Sequence, residues 1–78
     1  IQFNSKMKKE RGELPDKIAK YEAEQSLLQA EIASDTFYKN EKIYIADALA
    51  RLKKIEDTLK TMYKRWEELE ALFSAQNF

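Results

Sequence analysis

IADALARLKKIEDTLKTMYKRWEELEALF, residues 45–73, decides the fold. Its apolar residues Ile45, Ala48, Leu52, Ile55, Leu59, Met62, Trp66, Leu69 and Phe73 follow one another in steps of three and four, which winds a single stripe along an α-helix. A stripe of this length is a coiled-coil seam, and a seam needs a partner. The partner lies upstream, where Leu14, Ile18, Tyr21, Gln25, Leu28 and Ile32 repeat the same steps with Gln25 as the one polar member. Between the two, Ser34 to Asn40 is too short to do anything but reverse the chain, and it offers Asp35 and Asn40 as helix-capping side chains. The predicted fold is all-α, an antiparallel two-helix hairpin forming an intramolecular coiled coil. Helix one is placed at 15–33, the connection at 34–40 and helix two at 41–74.

The two arms are unequal. Helix one would span about 27 Å and helix two about 50 Å at 1.5 Å per residue, so Met62 to Phe73 need another cover. Residues 1–13 supply it as a short N-terminal helical segment packed on the end of helix two, with Phe3 or Met7 expected against Leu69 or Phe73. Gly12 and Pro15 mark a break before helix one, Pro15 suiting a first turn, where its missing N–H costs nothing. Residues 1–78 then form one domain.

Two registers suit the seam. If facing residue numbers sum to about 80, Glu22 nears Glu56 and Lys17 nears Arg65, both like-charge contacts. A sum of about 73 removes these and sets Glu24 against Arg51, so it is the expected register, placing Leu14 against Leu59, Ile18 against Ile55, Tyr21 against Leu52 and Leu28 against Ile45.

Composition removes whole classes of function. With 78 residues, one Gly, no Cys and no His, the chain has no disulfide framework, no thiol or imidazole chemistry, no ordinary zinc site and no glycine-rich phosphate loop. Catalytic residues and metal ligands are expected to be absent: carboxylates at helical spacing, such as Glu67 and Glu70, have no dry concave pocket to act in. The longest uncharged run, Ala71 to Phe78, is far short of the ~18 residues that span a bilayer. A start without Met or a signal pattern suggests a piece of a larger cytoplasmic protein.

The 14 basic and 14 acidic residues cancel, so any nucleic-acid binding must come from a local patch. Lys6, Lys8, Lys9 and Arg11 form one basic run, but the hairpin lays them beside Glu67, Glu68 and Glu70, and internal charge matching is the expected use. The better candidate is on helix two, where Arg51, Lys53, Lys54, Lys60, Lys64 and Arg65 face only Glu56 and Asp57. Lys53 and Lys60 are seven apart and share a face, with Lys64 adjoining, and Lys17 and Lys20 of helix one extend the set into a stripe spaced to track phosphates. The alternative is an ordinary solvated face. Among the aromatics, Tyr21 and Trp66 sit on seam positions, Phe37 and Tyr38 are expected to plug the hairpin end, and Tyr63 either packs on the N-terminal segment or stacks on a base.

The order of residues also resembles a known family. Phe3, Lys6, Glu10, Leu14-Pro15, Ile18, Tyr21-Glu22, Glu24, Leu28 and Ile32, followed by Asp35, Phe37-Tyr38 and the closing Tyr63-Lys64-Arg65-Trp66-Glu67-Glu68-Leu69-Glu70-Ala71-Leu72, are similar to the C-terminal domain of Uup-type ABC-F ATPases over nearly the whole chain. Departures fall at Ser5, where the family usually has an aromatic, and at Arg11 and Gly12, where it usually has Leu-Glu. The resemblance implies a cytoplasmic parent with two ATP-binding cassettes and no transmembrane domain, working on ribosomes or nucleic acid, with this hairpin appended as a DNA-binding element. ATP and magnesium are expected for that parent and no cofactor for this chain, whose expected partners are DNA or ribosomal RNA and the parent's own cassettes. No membrane, no small-molecule substrate and a monomeric state complete the expectation. An alternative role is a docking element that orients the cassettes through a helix face.

Overall fold

The computed structural model describes residues 2–76; residue 1 and residues 77–78, which the expected bounds of 1–78 include, lie outside the described residues. Two helices, α1 (Ser5–Ile32) and α2 (Lys42–Gln76), pack against each other with a 3-10 turn, Phe37–Lys39, between them. The hairpin measures 56 × 16 × 15 Å.

Every seam position named above is buried or half-buried, and the core is one cluster of Leu28, Phe37, Ala48, Ile55 and Leu59 with Ile18, Tyr21, Ile32, Ile45 and Leu52 packed on it. Leu14 and Leu69 are buried towards the other end. There the rings of Phe3 and Phe73 meet edge to face at 5.5 Å, so the N-terminal residues do cover the end of the second helix.

The break expected at Gly12 and Pro15 is absent, because α1 runs through both. Pro15 forfeits one backbone bond and Gly12 is exposed, with nothing within 4 Å of where a Cβ would stand. Proline in a helix interior costs about 3 kcal/mol and glycine about 1. Contacts just before and between these two residues offset this: Glu10 and Arg11 are each ion-paired to α2, and Leu14 is buried. Asn4, whose side chain accepts from the Met7 N–H at 2.9 Å, caps the helix that results.

The connection also differs from expectation. Asn40 does not cap α2; its Nδ2 donates to the carbonyls of Phe37 at 2.8 Å and Thr36 at 3.4 Å, closing the 3-10 turn. Ser34 Oγ donates to the Glu31 carbonyl at 2.7 Å and so serves the end of α1, while among the described residues Asp35 makes no capping bond. Phe37 plugs the hairpin end at 1 % exposure, but Tyr38 stands outside it at 65 %.

Cross-helix partners Glu10–Arg65, Arg11–Glu70, Glu22–Tyr63 and Glu31–Tyr44 have numbers that sum to 75, 81, 85 and 75, averaging 79, so the mean offset is nearer 80 than 73 although two of the four fall at 75. The charge argument for the lower register fails because flanking side chains swing to other partners. Glu22 takes the Tyr63 hydroxyl at 2.6 Å, Arg65 reaches Glu10 and Lys17 turns to Glu13. Exposed ion pairs, each under about 1 kcal/mol, cannot set a register against core burial. Glu24 and Arg51 stand near each other without forming an ion pair among the described residues.

Candidate nucleic-acid interface

An α2 residue's side of the seam is set by its place in the 3.6-residue turn. Arg51, Lys54 and Thr58 fall on one flank of Ile55 and Leu59, and Glu56, Lys60 and Tyr63 on the other. Each flank opens onto a groove against α1. The first groove is a cavity of about 300 Å³ lined by Tyr21, Glu24, Arg51, Lys54, Ile55 and Thr58. It continues towards the hairpin turn as a smaller cavity where Glu24 and Arg51 meet Leu27 and Glu31. The second groove, about 230 Å³, is lined by Gln25, Glu56, Leu59, Lys60 and Tyr63.

The expected basic residues are therefore not one stripe. Arg51 and Lys54 share the first groove, Lys60 borders the second, and Lys53 and Lys64 are exposed on the outer side of α2. Lys17 belongs with the first side, since it lies two turns along α1 from Glu10, which Arg65 holds there, and Lys20, one turn on, follows it. Lys17 and Lys20 thus extend the Arg51–Lys54 side and not the Lys60 side.

Charge use divides the set further. Arg65 grips Glu10 in a two-pronged pair, Nε to Oε2 at 2.8 Å and Nη2 to Oε1 at 2.9 Å, with Nη1 donating to Glu68 at 3.1 Å. These hydrogen bonds hold the Glu10 carboxyl below its ordinary range and push the guanidinium pKa up. Arg65 is thereby a cross-helix clamp, not an open phosphate contact. Lys53 pairs with Asp57 at 3.1 Å and Lys17 with Glu13 at 3.9 Å, both within their own helix and exposed. Among the described residues, Arg51, Lys54, Lys60, Lys64 and Lys20 enter no ion pair.

At the opposite end, Arg11 is matched internally: Nε donates to Glu70 at 2.7 Å, and the guanidinium lies 3.9 Å from the Phe73 ring centre and 5.8 Å from that of Trp66. Lys6, Lys8 and Lys9 remain exposed, and among the described residues no acid pairs with them. Tyr63 lines the second groove, and its hydroxyl donates to Glu22 and has its pKa raised by that bond. The spacing within one helix does not show the Glu10–Arg65 and Arg11–Glu70 clamps, because both depend on α1 continuing unbroken through Gly12 and Pro15.

No helix among the described residues is long and apolar enough to cross a membrane. Residues 2–71 match the model of a family described as the ABC transporter C-terminal domain. No curated protein and no solved structure matches the chain.

Proposed function

We propose, starting from the chain's membership of the ABC transporter C-terminal domain family, that it is the non-catalytic nucleic-acid-contacting arm of a Uup-type ABC-F ATPase in the cytoplasm. One observation carries this: Arg51 and Lys54 line the wider groove, where Glu24 and, towards the turn, Glu31 are the carboxylates, and neither cation is ion-paired among the described residues. Two unneutralised cations about 4.5 Å apart along a helix axis, extended by Lys17 and Lys20 across the groove, suit a run of phosphates. Such contacts hold a backbone in place without reading bases. Lys60, Lys64 and Lys53 add positive charge from the other sides of α2. The target is DNA or ribosomal RNA, and ATP turnover belongs to the parent's cassettes. With so few phosphates engaged, affinity falls in the nonspecific range of about 10⁻⁴ to 10⁻⁶ M, and tethering to the cassettes raises the effective concentration.

The test is anisotropy with a labelled short duplex at low salt. Arg51→Glu with Lys54→Glu is expected to weaken binding more than Lys60→Glu with Lys64→Glu, and Lys6, Lys8 and Lys9 changed to Glu serve as a third arm. Loss confined to that third arm would move the contact to the N-terminal run. A docking role has its own support in Leu27, 73 % exposed, and Ile43, 78 % exposed, near the hairpin turn. Binding of separate cassettes that ignores salt, with no binding of either duplex DNA or RNA, would favour it.

A further inference from the structure

The turn of the hairpin holds an aromatic ring that the fold does not use. Tyr38 is 65 % exposed, although its neighbour Phe37 is 1 % exposed and sits in the core cluster with Leu28, Ala48, Ile55 and Leu59. The two rings meet edge to face, centres 4.8 Å apart and planes at 87°. Tyr38 is therefore in contact with a buried ring while much of its surface faces water. Asn40, donating to the Phe37 and Thr36 carbonyls, holds the backbone of this turn.

The other exposed tyrosines differ. Tyr44 and Tyr63 donate their hydroxyls to Glu31 and Glu22, whereas among the described residues the Tyr38 hydroxyl has no such bond. Lys39 and Lys42 both follow Tyr38 in the chain, exposed and in no ion pair among the described residues, and Asp35 and Glu41 balance them in charge. A locally neutral tip with a held, exposed ring recognises a flat aromatic group by stacking, with charge secondary. Arg51 is nine residues along α2 from Lys42, about 13 Å at 1.5 Å per residue, so a strand lying in the wider groove reaches the tip within a few nucleotides.

We infer that Tyr38 is a stacking platform for an unpaired nucleobase, and that the hairpin distinguishes nucleic acid with a single-stranded end or loop from a fully paired duplex. This rests on the nucleic-acid reading above and adds the class of target. The base supplies the recognised chemistry whether its sugar is ribose or deoxyribose.

The experiment titrates the chain against a blunt duplex and the same duplex carrying a single-stranded overhang, each in DNA and in RNA, at two salt concentrations. Tighter binding of the overhang is expected, with Tyr38→Ala removing about tenfold of affinity for it, leaving the blunt duplex unchanged and the salt slope intact. Tyr38→Phe should keep the preference, since the ring and not the hydroxyl carries it. A preference confined to the DNA or the RNA form still supports the inference and names the source. Equal loss on blunt and overhang substrates, or Tyr38→Phe falling as far as Tyr38→Ala, overturns it. So does a Tyr38→Ala variant that binds every nucleic acid normally but associates more weakly with ATP-binding cassettes, which would make the tip a protein surface. If wild-type chain ignores the blunt duplex altogether, the phosphate reading fails first; blunt binding without an overhang preference sinks the tip alone.

Discussion

Along one side of the hairpin the gap between helices is bordered by Tyr21, Glu24, Arg51, Lys54 and Thr58, and along the other by Gln25, Glu56, Lys60 and Tyr63. Both gaps rest on the same seam, Ile55 beneath the first and Leu59 beneath the second. Polar closure is what differs. On the second side the Tyr63 hydroxyl bridges to Glu22, and Lys60 has Glu56 one turn back on the same wall. On the first side the cross-helix contacts sit towards the two ends, at Glu10–Arg65 and Tyr44–Glu31, and leave Arg51 and Lys54 in no ion pair among the described residues, with Glu24 and Glu31 as the nearby carboxylates. An apolar seam is indifferent to its two flanks, so the residues next to it decide which side is sealed and which presents charge.

Removing the shared floor should have the largest effect. Leu59→Ala and Ile55→Ala, at residues 3 % and 6 % exposed, are each expected to cost about 2 to 5 kcal/mol by chemical denaturation. An effect of under about 0.5 kcal/mol at either site, the size usual for surface positions, would show that the two grooves do not share one seam.

Next come the polar closures, which respond to opposite ends of the pH scale. The Glu10 pKa is lowered from its ordinary 4.5, chiefly by hydrogen bonds from Arg65. A depressed folded value means that its contribution is complete above pH 4.5 and is lost as the pH falls through the folded value. Thermal melts should therefore drop on the acid side, and Glu10→Gln should flatten part of that drop. The Tyr63 pKa is raised from 10.0 by its bond to Glu22, so that contribution is complete below pH 10 and is lost as the pH climbs through the folded value. Tyr63→Phe should flatten the alkaline limb and leave the acid limb alone. If both variants altered the same limb, the assignment of one clamp to each side would be wrong.

The smallest expected effect is on the open side itself. Lys54→Ala should change stability by less than about 0.5 kcal/mol, because Lys54 is exposed and in no ion pair among the described residues. A larger loss in denaturant would mean that Lys54 holds the fold together and is not available to a ligand.

The seam could be read from the chain because spacing in steps of three and four records burial directly, and Leu14 through Ile32 and Ile45 through Phe73 lie where that spacing puts them. Register could not, since its clue in the chain is a set of weak ion pairs, and their long side chains find other partners once the core sets the offset. Gly12 and Pro15 signal a break that does not occur for a related reason: a local breaker signal is worth only a few kcal/mol, less than the packing of Leu14 and the clamps of Glu10 and Arg11. For the candidate interface, the separation of Lys53 and Lys60 from Arg51, Lys54 and Arg65 follows from helical phase alone. The side taken by Lys17 and Lys20 depends on how α1 is rotated against α2, and the occupation of Arg65 by Glu10 depends on α1 being continuous. Those are tertiary facts, and no spacing within one helix contains them. That Tyr38 stays outside while Phe37 goes in is equally a property of the turn's geometry.

The most direct test of the phosphate-binding account is the dependence of duplex affinity on salt for the wild-type chain, the Arg51→Ala, Lys54→Ala double variant and Lys60→Ala. Each phosphate contact contributes roughly 0.9 to the magnitude of the slope of log affinity against log salt. The account predicts a steep slope for wild type, a slope shallower by about two for the double variant, one for each lost contact, and a smaller change for Lys60→Ala. A slope near zero for the wild-type chain, or a double variant with the wild-type slope, would contradict it.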